Sequence, residues 1–306
     1  MRKFYLTMCL AATFVAAFVS SCSQDETIEQ QEKAMAPRAT TVKELTAQLR
    51  AYNASIAGDM TVMQPLKVRK PGLTKGDAIS VGIADAKGAI RGAIRGGVHG
   101  AIVGGAVSSL WKFTFILAKK YFFSSKTKAS VIAADPSSIA PKIFPAGITP
   151  TLNDSVGYYH NMIEAKMYRI DTCSYQRSSS YLVSMANVGM KMISTEYAAT
   201  GGLSSQQKSA ITSDVNTLRN ADTEELSFDD YCNLLKSLNP EDSDYIDFAA
   251  EYLYIVAYGN VSIDDYTEEV MYLINNSNAG VDDITILNKS IQVAYASMLF
   301  SQCTNI

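Results

Sequence analysis

Apolar residues recur with helical spacing along nearly the whole chain, and nowhere do they alternate with period two for long enough to make a strand. The fold class expected is therefore all-α. Thr41-Val42-Lys43-Glu44 has the Ser/Thr-x-x-Glu form of a capping box and opens a short amphipathic helix with Val42, Leu45, Leu49 and Tyr52 on one side. Further on, Asn153-Asp154 caps a helix running through Arg169. The stretch 178–200 is amphipathic and stops at Gly201-Gly202, and 204–220 follows. Ser227-Phe228-Asp229-Asp230 and Ser262-Ile263-Asp264-Asp265 are near-identical caps, Asn239-Pro240 opens 241–258, and Asp282-Asp283 opens a last helix to Gln302.

One stretch, residues 79–123, has a different pattern. Glycine returns every fourth residue at Gly88, Gly92, Gly96, Gly100 and Gly104, with Ala84 and Ser108 extending the row. A parallel row holds Ala89, Ala93, Gly97, Ala101, Gly105 and Ser109. Residues four apart share a helix face, drifting by about 40° per step, so these rows form a small-residue face. Ile90, Ile94, Val98 and Ile102 lie nearly opposite, and Lys87, Arg91, Arg95 and His99 make a basic edge. Each interior glycine costs a helix about 1 kcal/mol relative to alanine. An isolated helix in water does not sustain several of them. Something must approach the small face closely, in the small-xxx-small manner. Three partners fit: the core of an ordinary bundle, copies of the same helix, or neighbours within a bilayer. Gly96-Gly97 is the natural place for the helix to bend or fold back into a hairpin.

The flanks bound the organisation. Arg2 and Lys3, the apolar run from Phe4 to Val19, and Val19-Ser20-Ser21-Cys22 compose a basic n-region, an h-region and a small-residue cleavage site over 1–21. Residues 22–40 are polar and read as a flexible tether. Within 41–124 a short amphipathic helix, a basic connector (Pro65 to Pro71) and the glycine helix follow one another. Pro136, Pro141, Pro145 and Pro150 make 125–150 a linker. Residues 151–306 remain for a helical bundle. Charge separates along this plan: 41–130 carries 14 Lys/Arg and 4 Asp/Glu, a surplus of +10, whereas 131–306 carries 9 and 22, or −13. The basic segment thus either docks on the acidic bundle or faces an anionic surface.

Little catalytic or metal chemistry is legible. No CxxC or Cys/His cluster exists, so a structural zinc site is not expected, and no cofactor is implied. With Cys22 set aside, Cys173, Cys232 and Cys303 allow at most one disulfide, Cys173 pairing with Cys232 or Cys303. The two histidines, His99 and His160, have no nucleophile in a recognisable elbow beside them, and read as structural. The acidic pairs 229–230, 264–265 and 282–283 lack EF-hand spacing and suit helix N-termini. The glycines form neither GxGxxG nor a P-loop. The basic stripe lacks aromatic interleaving and the net charge is −3, which argues against nucleic acid.

A cysteine directly after Val19-Ser20-Ser21 resembles the lipobox of bacterial lipoproteins, which implies a lipidated Cys22. Asp25-Glu26 just behind it resembles the surface-export signal of Bacteroidota lipoproteins. Gly82-Ile83-Ala84-Asp85-Ala86-Lys87-Gly88-Ala89, running into the glycine zipper, and Asp154-Ser155-Val156-Gly157-Tyr158-Tyr159-His160-Asn161, with a G-x-x-H-N pattern, are similar to the centre of a group of Bacteroidota proteins of that type. The zipper also resembles the helices of bacteriocins and membrane-active toxins. These resemblances imply an outer-membrane, surface-displayed lipoprotein and no particular reaction.

The expectation is accordingly a non-enzymatic surface lipoprotein. Its partners are the membrane through the lipid, and either another copy or an anionic lipid surface through the zipper, in a bacteriocin-like manner. The alternative is a binding or adhesion module in which the zipper is only a core helix. Length bears on the choice. The run 100–118 is close to the ~20 apolar residues a span needs, but Lys112 sits inside it at a cost of about 3 kcal/mol in a bilayer. The expected resting state is a docked helix, its basic edge on acidic charge, with binding to anionic vesicles favoured at low salt.

Overall fold

The computed structural model describes residues 38–57, 75–117, 156–171, 174–221, 226–259 and 261–303. The leader, Cys22, the tether, the basic connector, the proline-rich linker and Asn153-Asp154 lie outside the described residues. The described residues are helical throughout, with no strand among them: α1 (Val42–Ala57), α2 (Lys75–Leu117), α3 (Val156–Ile170), α4 (Ser179–Ile193), α5 (Thr195–Ala199), α6 (Ser205–Ala221), α7 (Phe228–Leu238), α8 (Ser243–Tyr258), α9 (Ile263–Asn275) and α10 (Val281–Cys303). Single 3-10 turns at Ser174–Gln176 and Pro240–Asp242 join them.

α2 is not one helix but a hairpin. Gly96 has φ −151° and ψ 23°, and Gly97 has φ 57° and ψ −142°, so the arms 75–95 and 98–117 run antiparallel. Gly97 occupies the left-handed half of backbone space, which an L side chain enters only under strain. The hairpin is the centre of the fold. It packs against α3, α4, α6, α7, α8 and α10, most extensively against α10. Ile79, Val81, Ile83, Ile90, Ile102, Val103, Val107, Leu110 and Phe113 of the two arms are fully buried there. Their core is continuous with the one built by residues 156–303, so the chain on either side of the 125–150 stretch contributes to a single hydrophobic interior. α1 closes one side on α8 and α9, burying Leu45 and Leu49 completely. Its Tyr52 stacks on Tyr266, which stacks on Tyr252, and Tyr266 donates its hydroxyl proton to Asn53 Oδ1 at 2.7 Å.

Local signals set most boundaries. Thr41 Oγ1 accepts from the Glu44 amide at 3.2 Å, while Glu44 reaches back to the Thr40 amide at 2.7 Å, a capping box displaced by one residue. Ser227 and Ser262 accept from the amides of Asp230 and Asp265. Ser204 exchanges hydrogen bonds with Gln207 in a second reciprocal cap. Two expectations need correction. The helix over 178–200 is broken at Ser194, whose hydroxyl caps α5 through the Tyr197 amide and whose extended backbone turns the chain. The helix opened by Asn239-Pro240 starts as a 3-10 turn and becomes α-helical only at Ser243.

Candidate functional site

The hairpin seam explains the glycine row. A Cβ on Gly100 would lie 1.9 Å from the carbonyl oxygen of Gly92, and one on Gly92 would lie 2.0 Å from that of Gly100. Gly88 and Gly104 face each other likewise, each Cβ position 2.4 Å from the other's oxygen. Facing residues are equidistant in sequence from Gly96, so a four-residue repeat on one helix becomes a self-complementary zipper once the chain turns there. The small face is consumed inside one molecule. Gly96, expected to be a packing residue, is instead part of the turn. Its Cβ direction meets only the side-chain tips of Leu203 and Gln207, at 3.0 and 3.4 Å.

The basic edge is consumed as well. Lys87 and Arg91 are buried and Arg95 is exposed. Lys87 Nζ donates to Asp242 Oδ2. Arg91 reaches Glu241 at 2.9 Å, Asp214 at 3.2 Å and Asp242 at 3.4 Å. Arg95 Nε stands 3.5 Å from Asp214. The charge surplus of the segment is thus partly neutralised on α6 and the 3-10 turn before α8. Beneath Lys87 and Arg91, between Gly88, Gly92, Gly104 and Ser108, a cavity of about 20 Å³ has room for one water. Burial lowers the Lys87 pKa, against the raising effect of Asp242. The fourth residue of the stripe, His99, packs edge-on against the Tyr197 ring at 4.6 Å and is likewise pushed down by burial.

A second polar group, which the sequence reading missed, lies on the far side of the hairpin. Asp85 of the first arm, Ser109 of the second, His160, Asn161 and Glu164 of α3 and Ser297 of α10 are at most 1% exposed. Ser109 donates to Glu164 Oε1 at 2.6 Å. Asn161 donates its amide to the Ala296 carbonyl at 2.9 Å, which turns its Oδ1 toward His160 Nδ1, also at 2.9 Å. An amide oxygen only accepts, so His160 carries its proton on Nδ1. Nε2 then carries the lone pair and stands 3.9 Å from Asp85 Oδ2, and Glu164 Oε2 lies 3.9 Å from Nδ1. Both Asp85 oxygens, His160 Nε2, Glu164 Oε2 and Ser297 Oγ lack a hydrogen bond of ordinary geometry, although the Ser109 and Ser297 hydroxyls are close enough to oppose the rise in the Asp85 pKa and the Gly105 carbonyl close enough to oppose the fall in that of His160.

Among the described residues no lysine or arginine stands within ion-pair distance of either carboxyl. Burial, with the Glu164 charge adding to it, raises Asp85 well above the usual carboxylate range, and burial lifts Glu164 to about 8. Burial drives His160 down to about 4. Burial thus favours the uncharged form of all three groups, as a dry core without counter-ions requires. The G-x-x-H-N pattern of α3 is now accounted for. Gly157 lets α3 approach α10, its Cβ position 2.5 Å from the Gln292 oxygen, and His160 and Asn161 line the contact below it. The signal that was available is Asp85 itself, a carboxylate between Ala84 and Ala86 and the one acidic residue buried among the described residues of the hairpin.

A third feature is an open cavity of about 440 Å³ between α1, α7 and α8, within the size range of ligand sites. Arg50, Asp229, Asn233, Lys236, Asp247 and Glu251 surround it, with Phe228 and the exposed Tyr254 as its aromatic sides. Arg50 pairs with Glu251 at 2.5 Å and Lys236 with Asp247 at 2.9 Å. Cys232 is at the base as a free, buried thiol that burial pushes up to about 12. This corrects the disulfide pairing of Cys173 with Cys232. The remaining option, Cys173 with Cys303, lies outside the described side chains.

The acidic pairs lie in the first turns of α7, α9 and α10, the first two behind the Ser227 and Ser262 caps, and no group of three or more His, Cys, Asp or Glu able to hold a metal ion occurs among the described residues. No described helix is long and apolar enough to cross a membrane. No protein-family model matches the chain, and neither a curated protein nor a solved structure does.

Proposed function

We propose that this chain is a non-enzymatic lipoprotein of the outer membrane and cell surface, tethered through Cys22, whose helical body is a binding module and whose glycine hairpin is that module's scaffold. The observation that carries this choice over a membrane-active zipper is the seam. Gly88 faces Gly104 and Gly92 faces Gly100 within one molecule, leaving no glycine face for another copy. The spent charge of Lys87 and Arg91 supports the same reading, because an anionic lipid surface would have to displace Asp214 and Asp242. Among the described residues, the cavity between α1, α7 and α8 has the size and the mixed charged and aromatic lining to receive a ligand.

Two experiments test the two halves. Protein lacking the lipid should not float with anionic vesicles at any ionic strength, nor release dye from them. Flotation at low salt that is lost at high salt would return the function to the zipper. Separately, Cys22→Ala should abolish palmitate labelling in cells and release the chain from the membrane fraction. Retained labelling would remove the anchor from the proposal while leaving the binding module standing.

A further inference from the structure

The cluster formed by Asp85, His160 and Glu164 does no work in the binding reading, and it is not what packing alone would place there. Three ionisable groups occupy a zone with no exposure, contributed by the hairpin and by α3, with α10 closing over them through Ser297 and the Ala296 carbonyl. An aliphatic core would hold these elements together without orphaned oxygens. We propose that Asp85, His160 and Glu164 form a proton-held clasp: with both carboxyls protonated the hairpin lies docked on α3 and α10, and loss of those protons on alkalinisation loosens it from them.

The groups facing the clasp from each neighbour allow no other outcome for the ionised state. The first arm supplies Asp85, the second Ser109, α3 supplies Asn161, His160 and Glu164, and α10 supplies Ser297. The buried cations of the hairpin are engaged elsewhere, Lys87 with Asp242 and Lys112 over the Tyr231 ring at 4.4 Å. Lys289 stands about two turns before Ser297 on α10. Two carboxylates formed here face each other across a neutral imidazole with only hydroxyl donors to answer them, so each ionisation favours whichever state admits water.

The sign of the pH dependence follows. Glu164 is released near pH 4.5 when solvated and near pH 8 when docked, so between those values the docked state holds one more proton and docking weakens as pH rises. Asp85 is shifted in the same direction. His160 opposes this only where the opened state would take up a proton, between about pH 4 and its ordinary 6.5. From pH 6.5 to 8 the carboxyls act alone, and one proton corresponds to about a tenfold change in the docking constant per pH unit.

Hydrogen exchange followed by mass spectrometry, with rates divided by the intrinsic exchange rate at each pH, reads this directly. In the native chain, protection of 75–117, α3 and α10 should fall about tenfold per unit from pH 6.5 to 8, while α1 on the opposite side keeps its protection. Glu164→Gln, which preserves the acceptor for Ser109, should flatten that slope. Asp85→Asn should lessen it by whatever Asp85 itself contributes. Flat protection of the hairpin in the native chain would overturn the clasp, and so would an equal loss in α1, which would mean global unfolding. An unchanged slope in both variants would overturn it too. Should either variant fail to fold, the native profile alone decides.

Discussion

Gly100→Ala should destabilise the protein by about 3 kcal/mol or more, although it adds a single methyl group and improves helix propensity by about 1 kcal/mol. The new Cβ would stand 1.9 Å from the Gly92 carbonyl oxygen, and backbone cannot swing aside as a side-chain tip can. The arms must separate by more than an ångström, which opens the seam at Gly88 and Gly104 as well. Gly100→Leu should be worse. The same argument orders the other glycines. Gly92→Ala should match Gly100→Ala. Gly97→Ala meets open space but must hold φ 57° with ψ −142°, at a cost of about 1–3 kcal/mol. Gly96→Leu, which the repeat alone ranks with Gly100, should cost less than Gly100→Ala, because its φ is negative and the nearest atoms to its Cβ direction are the flexible tips of Leu203 and Gln207. Thermal or urea unfolding of the five variants checks the order. A melting temperature for Gly100→Ala at or above that of the native chain would show that the arms do not meet.

Asp242→Ala should cost about 3–5 kcal/mol, the range for removing one partner of a buried ion pair. The side chain of Asp242 is 1% exposed and that of Lys87 6%, so the substitution strands an ammonium group in the interior beside Arg91. Arg91 keeps Asp214 and Glu241, and the loss falls mainly on Lys87. That lysine has one escape, which is to give up its proton. Its pKa already lies below the ordinary value through burial. In the variant the unfolded chain then binds one more proton than the folded one, and stability rises with pH until the unfolded lysine titrates. The expected signature is a large loss at neutral pH that shrinks toward pH 10. Adding Lys87→Met to Asp242→Leu should restore most of the stability, since an apolar pair of similar volume does not need solvating. Urea midpoints across a pH series measure both effects. A loss independent of pH would place the damage in packing.

Much of the architecture was readable from local pattern. The all-α class followed from helical periodicity, and Thr41, Ser204, Ser227 and Ser262 announce helix starts through chemistry confined to three or four residues. The glycine row demanded a close partner on energetic grounds. It did not name the partner, because a helix, a second copy and a bilayer neighbour all satisfy a small face equally well. The four-residue spacing alone also ranks Gly96 with its neighbours, and only the adjacent Gly97 marks that pair as the place to turn.

The buried clasp was legible least of all. Asp85, Ser109, His160, Glu164 and Ser297 come from four segments, and nothing in their local sequence says that they share a dry interior. Helical periodicity reports which face of an element is buried, and capping reports where it starts. Both are near-neighbour properties, so the chain's own order of residues determined the helices, the turn at Gly96-Gly97 and the separation of charge. Which carboxylate answers Lys87, which carbonyl meets Gly100, and whether His160 is charged depend on atoms brought together from far along the chain. Only the tertiary structure decided those, because burial and distance, rather than residue type, set the energy of an ionised group.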